Sequence, residues 1–150
     1  MISNTRLDSL ARKYEVEDYR GTLCKDELPN PVEPGRYIVN MQDAYNSRGK
    51  PNPGTHWCML DVEPTRSIWI DAFGVVPPLE VVERAAHPIY YNVKQIEDIN
   101  SNLCGWYALY MLVQKTRGRS YQQALDDFKT FPHTAENRYV IDDFFGIRSK

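Results

Sequence analysis

Apolar residues recur along this chain at two periods. Leu7, Leu10, Ala11 and Tyr14 fall three and four apart behind Ser3 and Asn4, either of which can cap a helix, so the chain is predicted to open on an amphipathic helix. From Gly21 to Gly35 the pattern dissolves into turn residues with Pro29, Pro31 and Pro34, which reads as an ordered surface loop. Tyr37 to Met41 is short and apolar enough for a buried strand. Asn46 to Gly54 holds two prolines and two glycines and is expected to be a mobile loop. His56 to Val62 and Ser67 to Asp71 read as two strands joined by Glu63-Pro64-Thr65-Arg66. Pro77-Pro78 opens a short helix through Ala86, where proline's missing N–H costs least. Ile89 to Tyr91 is a further strand, with Val93 to Ile96 extending or following it. Cys104 to Lys115 is the most apolar helix, and two more are expected at Tyr121 to Phe131 and Glu136 to Phe145. The order implies an α+β fold, one domain over residues 1–150, with a mainly antiparallel sheet packed on the Cys104 helix.

Composition narrows this only slightly. Hydrophobic residues make up 42% of 150 and charged residues 25%, enough for a core without staples. The formal net charge of −2 and the scattering of the basic residues give no footprint for nucleic acid. Lys115-Thr116-Arg117-Gly118-Arg119 is a small basic cluster that a helix C-terminus explains. Three cysteines without a CxxC pair suggest free thiols and a reducing compartment. No segment has the apolar core of a signal peptide or the length of a membrane span, so a soluble protein is expected.

The chemistry concentrates in three places. Cys104 stands where the polar run Asn100-Ser101-Asn102 turns into an apolar helix. The three polar residues are good N-cap types, and a thiol at a helix start is favoured as thiolate. Gly105 would let a bound peptide backbone come close. His56 begins a strand. If the loop at 63–66 has even length, Val62 pairs with Ser67, Cys58 with Asp71, and His56 lies opposite Phe73, diagonal to Asp71 on one face. Asp61 is nearer in sequence but falls on the other face. A thiolate, an imidazole and an orienting carboxylate are what cysteine-based acyl transfer requires. Cys24 and Cys58 read as loop and packing residues, and His87 and His133 as loop residues beside proline.

At these residues the chain resembles the adenovirus maturation protease (adenain) family, in its virophage and virus-like-transposon branch. The resemblance rests on Tyr19-Arg20-Gly21-Thr22 with Pro29, Ile38-Val39-Asn40, Gly54-x-His56-Trp57, Asp71-x-Phe73-Gly74 and Ser101-x-x-Cys104-Gly105, in that order. SUMO-type ubiquitin-like-protein proteases are similar in the wider fold. The resemblance implies a papain-like cysteine protease fold in permuted order, with His56 as general base, Asp71 as orienter and Cys104 as nucleophile. It also implies an endopeptidase cleaving capsid or core precursor proteins, in the virion or in the host-cell cytoplasm or virus factory. No metal or other cofactor is implied, and the family's DNA activation does not carry over to a mildly acidic chain whose basic residues are scattered. A peptide activator stays open, with Cys24 as a candidate disulfide partner. The family places an oxyanion-binding glutamine a few residues before the cysteine motif, where this chain has Glu97. A protonated Glu97 would serve, and Gln95, on the same face of an extended segment, is the substitute. Two other activities remain open: deconjugation of a ubiquitin-like protein, and capsid-associated binding by a protease fold without turnover.

Overall fold

Ser3 caps the first helix, α1 (Asn4–Lys13), by accepting from the Arg6 N–H at 3.2 Å, and Leu7, Leu10 and Ala11 form its buried face. The structure, a computed structural model, describes residues 1–52 and 55–147, so Gly54 of the histidine motif lies outside the described residues. The strands are β1 (Tyr19–Cys24), β2 (Gly35–Asn40), β3 (Trp57–Glu63), β4 (Arg66–Ile70) and β5 (Ile89–Tyr91). The helices after α1 are α2 (Leu79–Arg84), α3 (Cys104–Thr116), α4 (Tyr121–Leu125) and α5 (Asn137–Phe145).

The fold is α+β, a five-stranded sheet in sequential order with helices around it. The central pairs β2–β3 and β3–β4 are antiparallel, but both edge strands join in parallel, so the sheet is mixed. β1 lies where the sequence pattern predicts only a surface loop. It is short and half-exposed, and its register shifts between Tyr19 and Gly21, which erases any alternating pattern. It is tied to α1 through Asp8, which accepts from the Thr22 hydroxyl at 2.6 Å and from Tyr19 at 3.2 Å.

Alternation along β3 builds two cores. Trp57 and Met59 face α1 and α3, joining Leu7, Ile38, Leu109 and Met111. Cys58, Leu60 and Val62 face the other way, against Val32, Tyr37, Trp69 and Val81. α3 is buried over most of its circumference, as a helix sandwiched between a sheet and other helices must be. Its outer side meets α5 in an aromatic cluster of Tyr110, Phe128, Phe144 and Phe145.

Several boundaries differ from expectation. The β3–β4 turn pairs Glu63 with Arg66 and keeps even parity. Val93 to Ile96 is not a strand, and the helix at Tyr121 ends at Leu125. The loop from Asn46 is held, as far as it is described, by the Asn46 carboxamide, which accepts from the N–H groups of Arg48 and Lys50. Among the described residues no helix is long and apolar enough to cross a membrane.

Candidate active site

The even hairpin fixes the geometry that matters most. Val62 pairs with Ser67 and Met59 with Ile70, so His56 and Asp71 come out diagonal on one face just beyond the paired residues. The His56 Nε2 lies 2.6 Å from the Asp71 Oδ1, and the imidazole stacks at 4.8 Å on Phe73. Asp71 is fully buried and tightly held. Its Oδ1 also accepts from the Phe73 N–H at 2.8 Å. Asn92 grips its backbone from both sides, accepting from the Asp71 N–H at 3.0 Å and donating to the Asp71 carbonyl at 2.7 Å. Gly74 closes the turn with a positive φ of 74°, and an added Cβ would sit 2.6 Å from the Val93 carbonyl oxygen. Only glycine fits there, because the backbone of Val93 and Lys94 runs directly over it.

Cys104 is the first residue of α3 and is 3% exposed; its Sγ accepts from the Trp57 N–H at 3.4 Å. The helix is not capped by Asn100, Ser101 or Asn102 in the N-cap position. Leu103 occupies that position, and its N–H donates both to the Ser101 hydroxyl and to the Glu97 carboxylate, each at 3.1 Å. Glu97 therefore does part of the capping from outside the helix. It reaches there because the Ala72 carbonyl accepts from the N–H groups of both Ile96 and Glu97, and Asn137 donates to the Ile96 carbonyl at 2.7 Å. Gln95 does not share this position. Its amide donates to the Glu97 carbonyl at 2.9 Å and fixes the loop.

His56, Glu97 and Cys104 each bring a nitrogen, oxygen or sulfur within 4.8 Å of the other two. Burial opposes a charged imidazole, but hydrogen bonds to Asp71 and to the thiols of Cys104 and Cys58 outweigh it and hold His56 well above its ordinary pKa. Glu97 is fully buried, its Oε1 has no hydrogen-bond partner among the described residues, and burial pushes its pKa up to about 7. Against that rise work the hydrogen bonds from Ser101 and Leu103 and the nearby His56.

Among solved structures, the chain is similar to the ASFV pS273R protease. The two are 14% identical in sequence and superpose with a TM-score of 0.56, over 100% of this chain and 68% of that chain. The two share a fold. At this identity the likeness shows architecture alone, a papain-like/SUMO-protease arrangement. It does not favour the adenain branch that the motifs resemble. No family model and no curated protein matches the chain.

Two other residues take on different roles from those read in the sequence. Gly105 is not open to a peptide: a Cβ there would overlap Ile2 and meet Trp57 at 3.2 Å, so its missing side chain makes room for the N-terminal segment. The Trp57 indole donates to the Ile2 carbonyl at 3.1 Å, completing that contact. Cys58, a packing residue by its sequence pattern, sits with His56 and Asp71 in a second cluster within 4.8 Å. Burial pushes its pKa up to about 12, so it stays a neutral thiol. Asn92 gives no local signal in the sequence, because its role depends on a contact 21 residues away. Beside the α3 start lies a cavity of about 350 Å³ lined by Asp98, Ser101, Leu103, Tyr107, Thr134 and Arg138.

Proposed function

We propose that the protein is a cysteine endopeptidase in which Cys104 attacks, His56 transfers protons and Asp71 orients the ring. The observation that carries the reading is the placement of one imidazole between a fully buried carboxylate at 2.6 Å and a thiol at the start of a helix. Isolated pairs of these residue types have many structural explanations; an ordered Asp–His–Cys series with one ring nitrogen on the acid has few.

In this mechanism the Cys104 Sγ forms a bond to the scissile carbonyl carbon while its proton resides on His56. The carbonyl oxygen takes the developing negative charge. First-turn N–H groups of α3, which lack intrahelical acceptors, face that charge, and a protonated Glu97 donates from its unpartnered oxygen. The imidazolium then protonates the departing amine as the C–N bond breaks, leaving a thioester. Water attacks the thioester, His56 takes its proton, and the acid product leaves with the thiol restored. Asp71 keeps the ring in one orientation throughout.

The substrate is a polypeptide, and the motif resemblance assigns it to capsid or core precursors processed in a virion or virus factory. Turnover of precursor protein and of a ubiquitin-like fusion by wild type, Cys104→Ala and Glu97→Ala tests both parts. Precursor cleavage that disappears with Cys104→Ala is the expected result. Cleavage of the fusion alone would move the assignment to a deconjugase, and no cleavage of either would leave a binding protein.

A further inference from the structure

Glu97 is unusual among the buried acids of this protein because nothing positive is dedicated to it. Asp61, also buried, has Arg36 and the Tyr121 hydroxyl; Glu97 has one backbone N–H, a serine hydroxyl, and an oxygen left over. Its carboxylate shares a space with a thiol and an imidazole from two other segments, all three donor atoms lying within 4.8 Å of one another. Imidazole, thiolate and carboxylate are the three protein ligand types of zinc, bound at roughly 2.0–2.3 Å. A tetrahedral ion at those lengths needs donors roughly 3.3–3.8 Å apart, so side-chain rotation of about 1 Å completes the set.

We propose that His56, Glu97 and Cys104 form a reversible binding site for a borderline-soft divalent cation of the Zn²⁺ class, which silences the nucleophile while bound. Three further features fit. A thiolate, a carboxylate and a neutral imidazole carry together the charge that a divalent ion cancels, so the loaded site is neutral in a dry surrounding. Asp71 holds the His56 ring at its Nε2, and a metal taken on Nδ1 would complete the carboxylate–histidine arrangement that orients metal-bound imidazoles. Three protein ligands leave a fourth position for water, as in an open zinc site. The second cluster, His56 with Cys58 and Asp71, is the competing arrangement. Its Asp71 Oδ1 already accepts twice but its Oδ2 is unpartnered among the described residues, so the Cys58 variant decides between the two.

A carboxylate in place of an amide at position 97 is what creates the site, since glutamine offers only a neutral carbonyl oxygen. The metal site shares its three side chains with the peptidase reading but is tested without substrate. The chelator-stripped full chain is titrated with Co²⁺, read by thiolate-to-cobalt charge-transfer absorbance, and with Zn²⁺ by calorimetry. The expected result is one ion per chain, a charge-transfer band that Cys104→Ser removes and Cys58→Ser keeps, and Zn²⁺ affinity lowered at least about tenfold by Glu97→Gln. Thermal melting of each metal-free variant establishes that it is folded. Equal Zn²⁺ affinity in wild type and folded Glu97→Gln, a band lost with Cys58→Ser, or no binding by wild type overturns the site. Peptide turnover measured separately in chelator shows whether the peptidase reading stands when the metal site falls.

Discussion

The β3–β4 hairpin carries a buried polar cluster at each end, and the two differ in how completely they are satisfied. At the turn end, Asp61 accepts from Arg36 at 3.2 Å and from the Tyr121 hydroxyl at 2.5 Å. That cluster pins β2, β3 and α4 together. At the open end, His56, Asp71, Cys104 and Glu97 also meet in the interior, yet one oxygen each of Asp71 and Glu97 has no hydrogen-bond partner among the described residues. A polar cluster that closes on itself stabilises; one with unused valence has capacity for a transition state or a ligand. The largest expected effect separates the two. Cys104→Ala or His56→Ala should lower turnover by at least about 10⁴-fold with little change in stability. Asp61→Ala should do the opposite, costing about 3–5 kcal/mol by stranding Arg36 while turnover per folded molecule is kept. Chemical denaturation beside kinetics decides it; a similar stability loss for both would erase the distinction.

Glu97 sharpens the same contrast. Losing one oxyanion donor typically lowers the rate about 10²–10³-fold, the drop expected for Glu97→Ala below pH 7. Its pKa of about 7 means the wild type loses the donor as pH rises through that value, whereas Glu97→Gln keeps an amide at all pH. The ratio of Glu97→Gln to wild-type turnover, measured in chelator, should therefore climb above pH 7. Stability follows the same group. The folded protein binds this proton more tightly than the unfolded chain, so stability is full below about pH 4.5 and falls between there and about pH 7. Glu97→Gln removes that fall, a gain of up to ~3 kcal/mol at pH 8 and none at pH 4. A flat rate ratio across pH 6–8 would remove the carboxylic acid from the mechanism.

Thiol chemistry gives a smaller effect. Cys24 is more exposed than Cys104, so access alone predicts that it alkylates first. Burial of its sulfur and the nearby Glu27 push its pKa up to about 11, which suppresses the reactive thiolate. At pH 7 Cys24 should label at least roughly tenfold more slowly than an ordinary exposed thiol, and Cys104 before it, as followed by peptide mass mapping. Faster labelling of Cys24 would place the reactive thiol outside the cluster.

What can be read from the sequence divides along physical lines. The diagonal of His56 and Asp71 is legible because strand period and loop parity alone determine it, and parity survives although the turn is tighter than four residues. The α3 start is legible from the switch between polar and apolar residues. β1 is not, since an edge strand with a register shift has no period to detect. Gly105 misleads because its partner, Ile2, lies over a hundred residues away, and sequence spacing cannot distinguish room for a ligand from room for the chain itself. The same limit hides the engagement of Gln95 with the Glu97 carbonyl and the thiol of Cys58 beside His56.

Asn92 provides the finest test of the contrast, because it touches the open cluster only through backbone. Its side chain both accepts from and donates to the main chain of Asp71, and it donates more weakly to Lys94 at 3.2 Å. Those bonds do not contact His56, Cys104 or Glu97. They hold the acid's peptide unit, and through it the angle at which the carboxylate meets the imidazole. If the open cluster works by preorganisation, Asn92→Ala should lower kcat several-fold with KM nearly unchanged, because the loss falls on orientation in the transition state rather than on substrate binding. Asn92→Asp, which keeps the acceptor for the Asp71 N–H but loses the donor to its carbonyl, should fall between wild type and alanine. A matching Asn92→Ala loss of about 1–2 kcal/mol in stability is expected from two broken hydrogen bonds and does not explain a kcat effect measured on folded protein. An unchanged kcat with only that stability loss would show that the open cluster tolerates slack, and that Asp71 is positioned by the Phe73-Gly74 turn alone.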